Sequence, residues 1–277
     1  MIEPLFDPAS PNVLIYDKLD STSTEAKKII QSGYAEHGMI IWAKEQSKSY
    51  GRYGRNWQSL PGNLSFSFIV NSQLLDNQLT SYPFIAALAI KDALSTCLNA
   101  AQQQELQFKW PNDILFRGKK VAGVIFESEL KGAKINHIIC GIGINIVAAP
   151  DNIEFATSFK DHKINNIALD KIVCETMSNF DKYINLLSKY NEEFIYKKWL
   201  ESAAHIGKKL IVLSGDKEVE GVFLGIKKGS LILQSDSGSE HSIATGDVFF
   251  SQSEKITTLL HKVSNNITFL NPKQARM

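Results

Sequence analysis

Cysteine, paired histidines, charge excess and long apolar runs are all scarce in this chain. The three cysteines, Cys97, Cys140 and Cys174, are an odd number at wide spacing without a Cys-x-x-Cys pair. That argues against a disulfide framework or a zinc knuckle and leaves buried free thiols. The six histidines contain no His-x-x-x-His and no His-Glu-x-x-His, so the common zinc-hydrolase spacing is missing. Neither a Gly-x-Ser-x-Gly elbow nor a Gly-x4-Gly-Lys-Ser/Thr loop occurs, so any nucleotide is handled without a standard P-loop. Thirty Lys+Arg stand against 29 Asp+Glu, a net charge of +1. A bulk basic surface for nonspecific nucleic-acid binding is thereby disfavoured, and any cationic site must be local. The most apolar window, Pro83 to Ile90, stops at Lys91-Asp92, far short of the ~20 residues of a membrane-spanning helix. The start, Met1-Ile2-Glu3-Pro4, lacks the basic opening and apolar core of a signal peptide. The expectation is a cytoplasmic protein without membrane association.

What is present is globular. Hydrophobic residues make up 44% and charged residues 21% of 277 positions, enough for one large domain or two unequal ones. Val13 to Tyr16 is expected to be a strand, and Thr22 with Glu25 fits a capping box opening a helix to about Ser32. Met39 to Ala43 predicts a buried strand, Glu45 to Asn63 a long glycine-marked loop, and Leu64-Ser65-Phe66-Ser67-Phe68 a strand with its phenylalanines on one face. A helix with Pro83 in its first turn is expected to continue through Leu98. Leu106 to Trp110 and Lys120 to Glu127 predict two strands of one hairpin turning at Pro111-Asn112-Asp113. Ile135 to Ile146 is a further strand, and Leu169 to about Glu201 has helical periodicity. After Gly207, short apolar runs broken by Ser-Gly-Asp, Lys-Lys-Gly and Asp-Ser-Gly predict a small all-β module. The expected division is 1–204, 205–252 and a tail, 253–277.

Three segments have chemical potential. Gln46 to Trp57 holds Gly51, Arg52, Gly54 and Arg55, where glycines allow close backbone approach and the arginines can cradle phosphate or carboxylate. A solvated basic loop, or an RNA-binding loop stacking bases on Tyr50, Tyr53 and Trp57, would account for the same residues. In Lys109-Trp110-Pro111-Asn112-Asp113, followed by Lys120-Val121-Ala122-Gly123, the expected hairpin brings Lys109 near Lys120. Two close lysines repel unless an anion lies between them, although a wet lysine-rich face is the plainer alternative. Gly141-Ile142-Gly143-Ile144-Asn145 is too short for a dinucleotide fingerprint, but glycines in a strand mark close approach by a ligand or by neighbouring backbone.

Together, Asp20-Ser21-Thr22-Ser23, Gln46-x5-Arg52-x2-Arg55-x-Trp57, Lys109-Trp110-Pro111-Asn112-Asp113, Lys120-Val121-Ala122-Gly123 and Gly141–Asn145 closely resemble the biotin–protein ligase family, from about Val13 to Phe250. The resemblance implies an α/β (α+β) catalytic domain with a mixed sheet, related to class II aminoacyl-tRNA synthetases, and a small SH3-like β-barrel. It implies ATP-dependent formation of biotinyl-5′-AMP and transfer of biotin to a lysine of a biotin carboxyl carrier domain, such as that of acetyl-CoA carboxylase. By the same resemblance Ser21, Thr22, Ser23 and Gln46 bind the biotin head group, and Tyr50-Gly51-Arg52 close over it. Gly123, Gly141 and Gly143 form the pocket floor. Lys120, Arg52 and Lys109 are the expected catalytic cations. Arg52, Arg55, Trp57, Lys109, Asn112 and Asn145 are expected to bind ATP, with Asp113 meeting Mg²⁺.

The family loop usually opens Gly-Arg where this chain has Ser49-Tyr50, which removes one loop cation. The Ser-Thr motif begins at residue 21, leaving no space before it for the winged helix-turn-helix of repressor members, so DNA binding is not expected. A homodimer stays open. Rival readings are a lipoate–protein ligase or octanoyltransferase on the same fold, and a non-enzymatic RNA-binding protein.

Overall fold

A computed structural model describes residues 7, 9, 11–71, 78–131 and 134–267. Most of the N-terminal octet, and the last ten residues of the expected tail, lie outside them. By internal packing the chain divides into two units, Met1–Ala204 and His205–Met277.

The first unit is built on one mixed sheet of seven strands: β1 (Val13–Leu19), β2 (Ile40–Gln46), β3 (Leu64–Asn71), β4 (Leu106–Lys109), β5 (Asp113–Phe116), β6 (Lys119–Lys131) and β7 (Lys134–Ile144). Their order is β1-β2-β3-β7-β6-β5-β4, with β1 and β2 parallel and the remaining neighbours antiparallel. Helices are α1 (Thr22–Ser32), α2 (Tyr82–Ser95), the single turn α3 (Ala100–Gln103), α4 (Leu169–Tyr190) and α5 (Glu192–Leu200).

Directly paired residues share a sheet face and alternate residues return to it, so the register defines two unlike surfaces. On one lie Phe66 and Phe68 of β3, Cys140 and Ile142 of β7 and Val124 of β6, all buried. Helix α4 packs there, with Phe180 edge-on to Phe68 at 5.0 Å between centroids. Trp199 of α5 stacks on Phe108 at 5.3 Å. The opposite surface carries a row that crosses six strands: Ala43, Ser65, Gly143, Gly123, Asp113 and Lys109. A neighbouring row holds Ile41, Ser67, Gly141 and Ile125. Helix α1 lies over this face through Ala26, which is buried with Met39, Ile41, Ile69 and Ile139.

Four local expectations need correction. The N-cap of α1 is Ser21, whose side chain accepts from the Thr24 amide; Thr22 is already in the helix because its hydroxyl is engaged by Ser67. Helix α2 stops at Ser95, three residues before Leu98, because Asn99 caps a separate turn with a reciprocal Gln102 contact. The expected two-stranded hairpin is a three-stranded meander: β5 lies between β4 and β6 and pairs with both. Arg117 and Gly118, at φ 53° and 76°, supply the second turn, while the Trp110–Pro111 bond is cis. The long helix after Leu169 is broken at Asn191, with φ 111°, whose side chain caps α5 by accepting from the Phe194 amide.

The second unit is an antiparallel sheet of β8 (Lys209–Ser214), β9 (Lys217–Lys227), β10 (Ser230–Gln234), β11 (Glu240–Ile243) and β12 (Asp247–Phe249), in the order β11-β10-β9-β8-β12. Leu210, Val212, Phe223, Leu231, Leu233 and Val248 are its core. Helix α6 (Gln252–Ile267) occupies part of the chain that the sequence pattern leaves as a tail.

Candidate active site

The Ser/Gly surface of the large sheet carries two neighbouring clusters. At the α1 end, Thr22 Oγ1 and Ser23 Oγ lie 2.7 and 3.0 Å from Ser67 Oγ, and the Thr22 amide donates to Gln46 Oε1 at 2.7 Å. Ser21, Thr22, Ser23 and Ser67 are buried, so these contacts satisfy hydroxyls that would otherwise be costly to desolvate. Gly141 keeps this floor at backbone level, since a Cβ there would stand 2.6 Å from Ser23 Oγ. The structure therefore brings together three segments that are widely separated in the sequence (Thr22-Ser23, Gln46 and Gly141) and adds Ser67. Ser65 and Ser67 belong to no sequence motif, but their alternation with phenylalanine is a signal: serines opposite a core face must meet something.

One row along, Trp57 lies across Gly143, where a Cβ would come within 2.5 Å of the indole. The Lys120 ammonium is 5.4 Å from the centre of the Trp57 ring and 2.6 Å from Asp113 Oδ1. A Cβ on Gly123 would be 3.3 Å from that ammonium. The expected juxtaposition of Lys109 and Lys120 across a hairpin is thus replaced by Lys109 opposite Asp113 and Asp113 opposite Gly123. The anion between the two lysines is the chain's own carboxylate.

The remaining candidates are placed less uniformly. Arg52 and Arg55 flank the exposed Tyr53 ring at 5.0 and 5.4 Å, on a short 3-10 turn, Arg52–Gly54, where Tyr53 has φ 58°. The loop stem is closed by Gly51 N–H to Arg55 O, Trp57 N–H to Ser49 O and Ser49 Oγ to Trp57 O. Asn112 donates through its side chain to Val124 O and accepts from the Val124 amide on its own carbonyl, bracing β6. Asn145 is buried, donating to Thr157 O and accepting from Asn63. Asn63, also unforeseen, accepts at one oxygen the amides of Ile146, Val147 and Ala148 at 2.9–3.1 Å.

Tyr50 joins the loop to two other elements. Its hydroxyl donates to Glu127 of β6 at 2.9 Å, and Lys27 of α1 reaches the same carboxylate at 2.7 Å. Burial draws the Lys27 pKa down, but hydrogen bonds to Glu127 and Tyr50 outweigh it and leave the ammonium above its ordinary value. Burial, aided by the Glu127 charge, raises Tyr50. Both groups therefore keep their protons at neutral pH.

A mixed sheet with one serine- and glycine-rich face carrying lysines, in a chain that also holds a separate β unit, has clear counterparts. A model of the biotin/lipoate A/B protein ligase family matches residues 16–145, and one of the biotin protein ligase C-terminal domain matches 205–251. A biotin--[acetyl-CoA-carboxylase] ligase of Paracoccus denitrificans is 31% identical over 84% of this chain and 98% of its own length. A bifunctional ligase/repressor of Bacillus subtilis is 25% identical over 82% of this chain and 70% of its own. Among solved structures, the Aquifex aeolicus biotin protein ligase in complex with biotin and ATP superposes with a TM-score of 0.74 at 24% identity, covering 87% of this chain and 99% of that one; that likeness is one of fold. The chain belongs to the biotin/lipoate A/B protein ligase family, on the biotin protein ligase side of it. Among the described residues no helix is long and apolar enough to cross a membrane.

Proposed function

We propose that this chain is an ATP-dependent biotin–protein ligase, acting on a lysine of a biotin-accepting carboxylase domain in the cytoplasm. The observation that carries it is a single sheet face on which the Thr22/Ser23/Gln46/Ser67 cluster adjoins the Gly143, Gly123 and Asp113 row with Trp57 and Lys120, in a chain 31% identical to a curated ligase of that kind. In this reading the hydroxyl cluster and Gln46 hold a small polar head group. Gly141, Gly143 and Gly123 let a flat ligand and its chain lie against the backbone. The ligand's carboxylate then arrives at Lys120.

Activation joins a carboxylate oxygen to the α-phosphorus of ATP and breaks the α–β anhydride, releasing pyrophosphate. Two anions at 4 Å repel by about 4 kcal/mol at an effective dielectric of 20, which fixed cations offset. Lys120 is one such cation. Its ammonium has three donors, of which Asp113 takes one, so the carboxylate aims the group while leaving hydrogens for substrate oxygens. Lys109 lies on the same row, and Arg52 and Arg55 come from the loop. Gln46 accepts from Thr22, leaving its amide nitrogen as a donor. In the second step an acceptor amine attacks the acyl carbon and AMP leaves. That amine must first lose a proton, because a free lysine with pKa near 10.4 is mostly charged at neutral pH.

Among the described residues no group of three or more His, Cys, Asp or Glu side chains could hold a metal ion. Mg²⁺ that accompanies ATP is bound through substrate phosphates with one or two carboxylates, and Asp113, paired with Lys120, is the carboxylate that would meet it.

ATP–pyrophosphate exchange with biotin and lipoate offered separately tests the reading. Exchange is expected with biotin; exchange with lipoate alone would overturn it.

A further inference from the structure

Lys27, Tyr50 and Glu127 form a three-way junction far from the cationic end of the Ser/Gly face. Tyr50 Oη donates to Glu127 Oε2 at 2.9 Å, Lys27 Nζ donates to Glu127 Oε1 at 2.7 Å, and Lys27 also reaches Tyr50 Oη at 3.3 Å. Both carboxylate oxygens are thereby used. The Lys27 ammonium stands 5.6 Å from the centre of the Tyr50 ring as well. The partners come from three elements that share no local sequence: helix α1, the base of the loop and strand β6. Glu127 pairs with Ile139, which pairs with Ile69. That row lies two residues beyond Ser67, Gly141 and Ile125, on the same face. The junction therefore closes the end of that face next to Ser23, which is one helical turn before Lys27.

We propose that Lys27 and Glu127 are positioning residues that hold Tyr50, and with it the loop from Ser49 to Trp57, over the Ser/Gly face before any ligand binds. Charge-assisted hydrogen bonds of this kind are the stronger ones, and each member here is partly shielded from solvent. The loop stem is closed by its own hydrogen bonds, so fixing Tyr50 fixes the orientation of the whole loop. The ligand's identity rests on the biotin ligase reading, but the latch does not.

Limited trypsin cleavage of the ligand-free full-length protein separates the two, because Arg52 and Arg55 offer cutting sites within the loop. Glu127→Gln removes the charge and Tyr50→Phe removes only the hydroxyl. Each is expected to speed cleavage at Arg52 or Arg55 about tenfold while the thermal midpoint holds. The reciprocal double variant Lys27→Glu with Glu127→Lys rebuilds an inverted junction and is expected to return cleavage close to the original rate. In pyrophosphate exchange, Glu127→Gln should raise KM for biotin about tenfold with a much smaller change in kcat. Cleavage of Glu127→Gln and Tyr50→Phe at the original rate would overturn the latch, as would a reciprocal variant that stays fast. Absence of biotin-dependent exchange in the unaltered protein would sink the ligase reading and leave the cleavage result to judge the latch alone.

Discussion

The two faces of the large sheet are made from the same strands yet follow opposite rules. Beneath α2, α4 and α5, the face is filled: Phe66, Phe68, Phe108 and Ile142 are buried, and the rings meet edge-on or stacked. On the other face the same strands present serine and glycine, against which Ser23 and Trp57 lie at backbone level, beside a smaller core of Ile41, Ile69 and Ile139 under α1. Alternation makes this possible, because one strand can serve a packed core on its odd residues and a site on its even ones, or the reverse. Stability and chemistry are therefore separable by residue parity, a division that substitution can test.

The largest effect is expected on the packed face. Phe180→Ala removes the ring that meets Phe68, and truncating a fully buried phenylalanine typically costs about 3–5 kcal/mol. Urea denaturation should show that loss, while the remaining folded protein keeps its KM for biotin. If KM moves as much as stability does, the two faces are not separable.

Next comes Lys120→Ala on the Ser/Gly face. Loss of one preorganised donor costs about 3 kcal/mol of transition-state stabilisation, so adenylation should slow by ~100-fold or more. Stability should change by less than about 1 kcal/mol, because the pair with Asp113 is partly exposed and such pairs contribute little to folding. An unchanged biotin-dependent pyrophosphate exchange rate would remove Lys120 from the reaction. The smallest effect is expected from Gly143→Ala. Its Cβ meets the Trp57 indole at 2.5 Å, and overpacking of this kind costs about 1–3 kcal/mol. The expected readout is an increase of roughly tenfold in KM for ATP, as the indole shifts. Unaltered ATP kinetics would mean that Trp57 does not face the nucleotide.

The same parity explains what the sequence makes visible. Leu64 to Phe68 alternates cleanly, so strand β3 and its core face are legible at once. The other face of that strand is harder to interpret, because a serine in a strand has no distinctive signal until its cross-strand neighbours are known to be glycines. Strand β5 has little sequence signal because Ile114-Leu115-Phe116 is only a short apolar run, placed directly after a conspicuous Pro-Asn-Asp turn. The break at Asn191 was marked by Asn followed by two glutamates, an N-cap pattern hidden within strong helical periodicity. Lys27 and Glu127 are 100 residues apart, and no single-sequence pattern links charges at that distance. The motif residues at Ser21–Ser23, Gln46, Lys120 and Gly141–Gly143 converge because they lie at strand ends or on one face, which a family resemblance captures and composition does not.

The stem from Ser49 to Trp57 sets a mechanical limit. Three residues, Arg52 to Gly54, lie beyond the paired Gly51 and Arg55 and the Tyr50–Asn56 bridge and must go out and come back, so the tip can reach no more than about 7 Å from its base at ~3.5 Å per residue. A lever that short spans a vitamin-sized molecule but not a folded domain. Whatever this loop covers must be small.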